Sequence, residues 1–148
     1  MATARWGGSV ARVTDERIQV PANCELTLGM TCVDKTVPGT TVWRMRADER
    51  FANPAGIVQG GFIGAMADSA MGSATVTWAH SAGRRVFSSN VEMKTSFLSP
   101  VRVGRLLECT ARVLSGGSRV AFAEAEVVDD LGTVVARSSS TYVFTERR

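Results

Sequence analysis

Thirty-three consecutive positions, Phe51 to Gly83, hold a single charged side chain, the carboxylate of Asp68. Turn chemistry in the segment Ala52-Asn53-Pro54-Ala55-Gly56 precedes a predicted helix from about Val58 to Trp78. A surface helix carries a polar face several residues wide. On the Asp68 side of this one stand Gly61, Gly64, Ala65, Met71 and Gly72, so that face is missing. From Gly60 to Thr75, ten of sixteen residues are Gly, Ala or Ser. Each Gly costs helix propensity, but small side chains let a backbone lie close to its neighbour. A curved sheet could wrap tightly around such a helix.

The flanking segments supply that sheet. "ELTLGMTCVDKTV" and "TTVWRMRAD" read as two strands joined by a turn at Pro38-Gly39. After His80-Ser81-Ala82-Gly83 come four strand-like runs: "VFSSNVEMKTSFL", "RLLECTARVLS", "RVAFAEAEVVD" and "TVVARSSSTYVFT". Turn residues separate them at Ser99-Pro100, Gly116-Gly117 and Asp129–Gly132. In the third run Val120, Phe122, Glu124 and Glu126 share one side, and Ala121, Ala123, Ala125 and Val127 the other. Two strands, one helix and four strands make an α+β class in which the helix packs on a sheet face. Residues 25–148 are expected to form one domain, and residues 1–24 a loose arm or short helix.

Charge and cysteine usage narrow the function. A net charge of +3 is too mild to imply nucleic acid, though it suits a small anionic ligand. Three cysteines (Cys24, Cys32, Cys109), no CxxC and a single histidine, His80, disfavour a structural zinc site. Small buried thiols in a reducing compartment are the expectation. The first residues have no continuous apolar stretch of the kind a secretory signal needs. A membrane span over 51–83 would hold no Leu and place Asp68 near mid-bilayer, at about 3 kcal/mol. The expected location is cytoplasmic.

Asp68 has three possible settings: exposed to water, paired with an arginine from another segment, or held in a dry cleft where it does chemistry. The start of the same helix bears on the choice. In Gln59-Gly60-Gly61, two residues without side chains stand where backbone N–H groups are free and the helix dipole is positive. Such groups can hold an anion or a developing oxyanion. A bare helix start and one isolated carboxylate eight residues on together point to acyl transfer.

These residues resemble a family. "NPAGIVQGGFIGAMADSAMG", "NVEMKTSFLSPV" and "ARVLSGGSRVAFAEAEVVDDLGTVVARSSSTYVF" are similar to the hotdog-fold acyl-CoA thioesterases, in the phenylacetate-pathway and 4-hydroxybenzoyl-CoA thioesterase-like branch. The similarity runs from about Gly39 to Phe144. It implies a long central helix wrapped by a curved antiparallel sheet, and dimers joined edge to edge that often pair again as tetramers. It also implies that Gly60 offers its N–H to the thioester carbonyl and that Asp68 is nucleophile or general base. Asn53 corresponds to the asparagine of the preceding loop, and Ser89 or Asn90 to a polar residue that helps orient water. Gly61 is expected beside the substrate. Arg119, with Arg84, Arg85 and Lys94, could meet the phosphates of coenzyme A.

One position departs from the family. Gln59 stands where the family has histidine; its amide can donate a hydrogen bond but carries no charge. His80 lies twenty residues past the glycines and is expected to be a surface residue at the helix's far end. The resulting expectation is a thioester hydrolase for acyl- or aryl-CoA, needing no metal or other cofactor. The alternatives are a non-catalytic acyl-CoA or aromatic-ligand binder and a structural assembly subunit. Eight helical residues separate Gly60 and Asp68 by about 12 Å. That is too far for one carbonyl to reach both, so a site shared between two chains is expected.

Overall fold

A computed structural model describes residues Val20–Arg147. Most of the expected N-terminal arm lies outside the described residues. The elements are α1 (Asn23–Leu28), β1 (Thr31–Asp34), β2 (Thr40–Arg46), a 3-10 turn (Glu49–Phe51), α2 (Gly60–Ser81), β3 (Val86–Phe97), β4 (Leu106–Gly116), β5 (Val120–Asp129) and β6 (Val134–Glu146). The strands form one sheet in the order β1-β2-β4-β5-β6-β3, every pair antiparallel.

Helix α2 touches each strand from β2 to β3 across that sheet. Five neighbouring strands at about 4.8 Å spacing span about 19 Å, against a helix diameter of about 10 Å. The sheet must therefore curl around the helix. Small residues on both sides permit the close approach. Met66, Ala67, Ala70, Met71 and Ala74 of α2 are fully buried, in one core cluster with Ala111, Ala123 and Val127 of the sheet. The alternation expected for β5 holds: Ala121, Ala123, Ala125 and Val127 point inward, and Phe122 is 49% exposed on the other side.

The outer sheet face is charged in register. Arg44 meets Glu108 at 2.9 Å, Arg112 meets Glu124 at 2.6 Å, and Arg137 pairs with Glu126. Each pair sits directly across neighbouring strands. Exposed pairs of this kind contribute about 1 kcal/mol or less each. Their structural meaning is that this face is built for water and the helix face for the core.

Three expectations need correction. Asn23–Leu28, expected in part as strand, is a helical turn. Glu25 accepts the Ala22 N–H at 3.0 Å, and Gly29, at φ +67°, closes the other end in the left-handed conformation that favours glycine. Strand propensity in "ELTL" loses to these two local caps. Helix α2 begins two residues later than expected, because Val58 and Gln59 donate their N–H groups to Val101 and Phe51 across the loop. It also runs three residues further, to Ser81. Of the cysteines only Cys109 is buried, where desolvation pushes its thiol up to about 12; Cys24 and Cys32 are exposed.

Candidate active site

The loop leading into α2 is held by its own backbone. The Asn53 side-chain oxygen accepts N–H groups from Ala55 at 2.9 Å and Ile57 at 3.2 Å, and the Asn53 N–H donates to Ile57 O at 2.8 Å. Gly56, at φ +72°, completes this tight turn. Asn53 thus fixes the loop that delivers Gln59, Gly60 and Gly61 to the helix start. Gln59 takes the N-cap position with an extended backbone, but its exposed side chain makes no capping bond. The N–H groups of Gly60 and Gly61 have no acceptor among the described residues. They project from the positive end of a 22-residue helix.

The two glycines differ in their reason for lacking a side chain. A Cβ on Gly60 would lie 2.7 Å from Cζ of Phe97, whose ring is seated on the helix start. A Cβ on Gly61 would meet nothing within 4 Å. A side chain at Gly60 would have to displace the Phe97 ring, whereas Gly61 opens onto empty space. Phe97 also divides two grooves that both reach Gly60 and Gly61. One, about 550 Å³, is walled by apolar residues including Ile57, Ile63, Leu98, Pro100 and Val101. The other, about 610 Å³, runs past Gly64 and Ala65 to Asp68, Asn90 and Met93.

Asp68 is partly buried and is bound by neutral donors. Asn90 Nδ2 donates to Oδ1 at 2.7 Å, and the Tyr142 hydroxyl reaches the same oxygen at 2.7 Å. No arginine pairs with Asp68 among the described residues. The arginine-paired setting is thereby excluded within the described chain. Burial, then the Asp68 hydrogen bond and charge, push the Tyr142 phenol well above its ordinary value, so it remains a neutral donor.

A β-bulge makes the Asn90 contact possible. Asn90 pairs with Tyr142 and Glu92 with Thr141, so Val91 is an extra residue in β3. Before the bulge the even residues face the helix: Ser88 Oγ lies 2.7 Å from Thr75 Oγ1, and Asn90 holds Asp68. Beyond it the odd ones do, with Thr95 against Ser138 and Phe97 against Gly60. Without the extra residue one half of the strand would present the wrong face.

The structure thus groups Gln59, Gly60, Gly61 and Asn53 at the helix start and Asp68 with Asn90 two turns on. Ser89, between the inward-facing Ser88 and Asn90, belongs to the opposite sheet face. Arg119 lies at the other end of the molecule, where its carbonyl accepts from Phe144 beside Trp78. Arg84 is occupied there by Glu146 at 2.5 Å, and Arg85 and Lys94 are exposed. His80 is exposed in the last turn of α2. Sequence reasoning missed Tyr142 and Phe97. The signal for Tyr142 was available: it is the only tyrosine in the chain, on the inward face of a strand rich in serine. Among the described residues no three His, Cys, Asp or Glu side chains cluster as metal ligands, and no helix is long and apolar enough to cross a membrane.

Comparison with known proteins gives the family. The thioesterase superfamily matches residues 55–136, more than half of this 148-residue chain. Human acyl-coenzyme A thioesterase 13 is 25% identical over 120 residues, covering 80% of this chain and 83% of that protein. The PaaI protein of the E. coli phenylacetic acid degradation operon superposes with a TM-score of 0.77 at 21% identity, over 84% of this chain and 86% of its own. A Streptococcus mutans protein solved with acetyl-CoA gives a TM-score of 0.74 at 18% identity, over 90% and 97% of the two chains. With the single long helix, the six-stranded antiparallel sheet and the matched segment spanning Gly60 to Asp68, the chain belongs to the thioesterase superfamily and is a hotdog-fold thioester hydrolase.

Proposed function

We propose that this protein hydrolyses acyl- or aryl-CoA thioesters, with Asp68 as the reacting carboxylate and the Gly60 N–H as oxyanion donor. The observation that carries this reading is the state of Asp68. Its Oδ1 is held by two donors, while no described residue donates to Oδ2, and the group opens on a groove leading to bare helix N–H groups. As general base, Asp68 takes a proton from water as the water oxygen bonds to the thioester carbon. The oxyanion develops against Gly60, with Gln59 in support. The C–S bond then breaks, the Asp68 proton passes to the leaving thiolate, and free acid and CoA depart. As nucleophile, Asp68 would instead form an anhydride that water hydrolyses. Neither route calls for a metal or redox cofactor. Asn53 acts by holding the loop, and the apolar groove suits the hydrocarbon part of an acyl group.

Each site is completed by a second chain. Strand β3 is a 12-residue edge, bonded on one side only to β6, and Val91 on it is 59% exposed. An edge of that length is a template for a partner strand. Joining two β3 edges about a two-fold axis brings the Gly60 end of one chain toward Asp68 of the other. Pairing of such dimers into tetramers belongs to the same reading. Two exposed unpaired cysteines, Cys24 and Cys32, fit a reducing compartment such as the cytoplasm.

The test is thiol release from short, medium, long and aromatic acyl-CoAs. Wild-type protein should turn over at least one class, and Asp68→Asn should lower kcat by about two to four orders of magnitude. Retention of more than a tenth of turnover by the folded variant would sink the assignment of Asp68. Coenzyme A binding without thiol release would favour a binding protein, a role that the uncharged Gln59 at the helix start would suit.

A further inference from the structure

We infer that Tyr142, together with Asn90, positions the Asp68 carboxylate by fixing Oδ1, so that Oδ2 is the oxygen offered to the substrate. This rests on the catalytic reading of Asp68 given above. The Tyr142 hydroxyl lies 2.7 Å from Oδ1 and 3.0 Å from the Asp68 backbone oxygen, so one phenol addresses both ends of the same residue. The shorter contact is to the carboxylate, at a length typical of charge-assisted O–H···O⁻ bonds. A tyrosine serving only the fold could satisfy its hydroxyl on the helix carbonyl alone. The ring is 1% exposed and lies along α2, within 3.6 Å of where a Cβ on Gly72 would be. It cannot swing away from Asp68 without vacating the core.

Asn90 closes the clamp from β3. Its Oδ1 accepts the Glu92 N–H at 3.0 Å and the Ser140 hydroxyl at 3.0 Å, which turns Nδ2 toward Asp68. Ser140 also reaches Glu92 O at 2.8 Å, tying the bulge to β6. Two donors therefore converge on Oδ1 from two strands. A carboxylate held at one oxygen has one rotamer and one free oxygen. Reaction rates depend steeply on such placement.

Three measurements test this. In Tyr142→Phe, kcat should fall about ten- to a hundredfold with KM within about twofold, the pattern for an interaction made in the transition state. Asn90→Ala should lower kcat in the same way, with KM again within about twofold. Unchanged kcat in the folded variants overturns the inference. Because Tyr142 is the chain's only tyrosine, growth on 3-fluorotyrosine places one fluorine beside Asp68 and needs no variant at position 142. Its 19F signal should shift between otherwise wild-type protein and Asp68→Asn, where the phenol's acceptor changes from a carboxylate to an amide. The same signal in both proteins also overturns the inference. If wild-type protein releases no thiol, the catalytic reading fails while the fluorine comparison still decides whether Tyr142 senses the carboxylate.

Discussion

At the scale of single residues, the helix start carries the most informative substitution. Gln59 is exposed and makes no capping hydrogen bond, so its replacement breaks no helix cap. Gln59→His places a group that can be cationic beside the Gly60 N–H, where a developing oxyanion would welcome it. Turnover should be retained or raised, most visibly below about pH 6.5, where an unperturbed imidazole is largely charged. A folded variant with kcat lowered tenfold or more would show that the Gln59 amide has a role of its own. Asp68 stood out in the sequence because nothing else near it carries charge. Tyr142 did not, because its importance is a matter of what lies opposite it in space, 74 residues away.

Between elements, the end of β3 and the start of α2 are fitted to each other. Phe97 lies against Gly60 so closely that an added Cβ would sit 2.7 to 3.0 Å from three of its ring atoms. Gly60→Ala must therefore push the ring aside, at a cost of about 1 to 2 kcal/mol. In a Phe97→Ala background the same change meets none of these three ring atoms and should cost less than about 0.5 kcal/mol. A double-mutant cycle by urea unfolding reads the difference directly. Equal costs in both backgrounds would mean that the ring does not rest on the helix in solution. The glycine pair was visible in the sequence, but its division into one packed and one open position was not. That division depends on a phenylalanine 37 residues further along, turned inward only because the Val91 bulge reverses the strand's parity.

At the scale of the whole molecule, the claim at stake is that two chains build each site. Gly60 and Asp68 are about 12 Å apart along one helix axis, and the side chain of an aspartate is too short to close that gap. Complementation tests it, with Phe97→Ala in both partners so that proline at position 60 does not strike the ring. Proline is tolerated at the first position of a helix and removes the N–H. Phe97→Ala/Asp68→Asn and Phe97→Ala/Gly60→Pro should each be nearly inactive. Co-expressed with random pairing, they should recover about a quarter of the activity of the Phe97→Ala protein, since half the dimers carry one intact site of two. Absence of recovery, with mixed dimers of folded chains demonstrated, would mean that both groups serve the same chain's site or that one of them is not catalytic.

The sequence by itself determined the architecture: a small-residue helix with no polar face must be enclosed, and strands of alternating character on both sides of it supply the enclosing sheet. It also singled out Asp68 and the bare glycines, because composition and spacing are properties of the chain read in one dimension. The short helix α1 escaped it, since two local caps outweighed four strand-like residues. What only the tertiary structure decided is how Asp68 is held. Its two donors come from β3 and β6, strands that neighbour each other in space but not in sequence, and one reaches it through a bulge that no periodicity predicts. A hydrogen bond is a statement about distance in three dimensions, and only the folded sheet sets that distance.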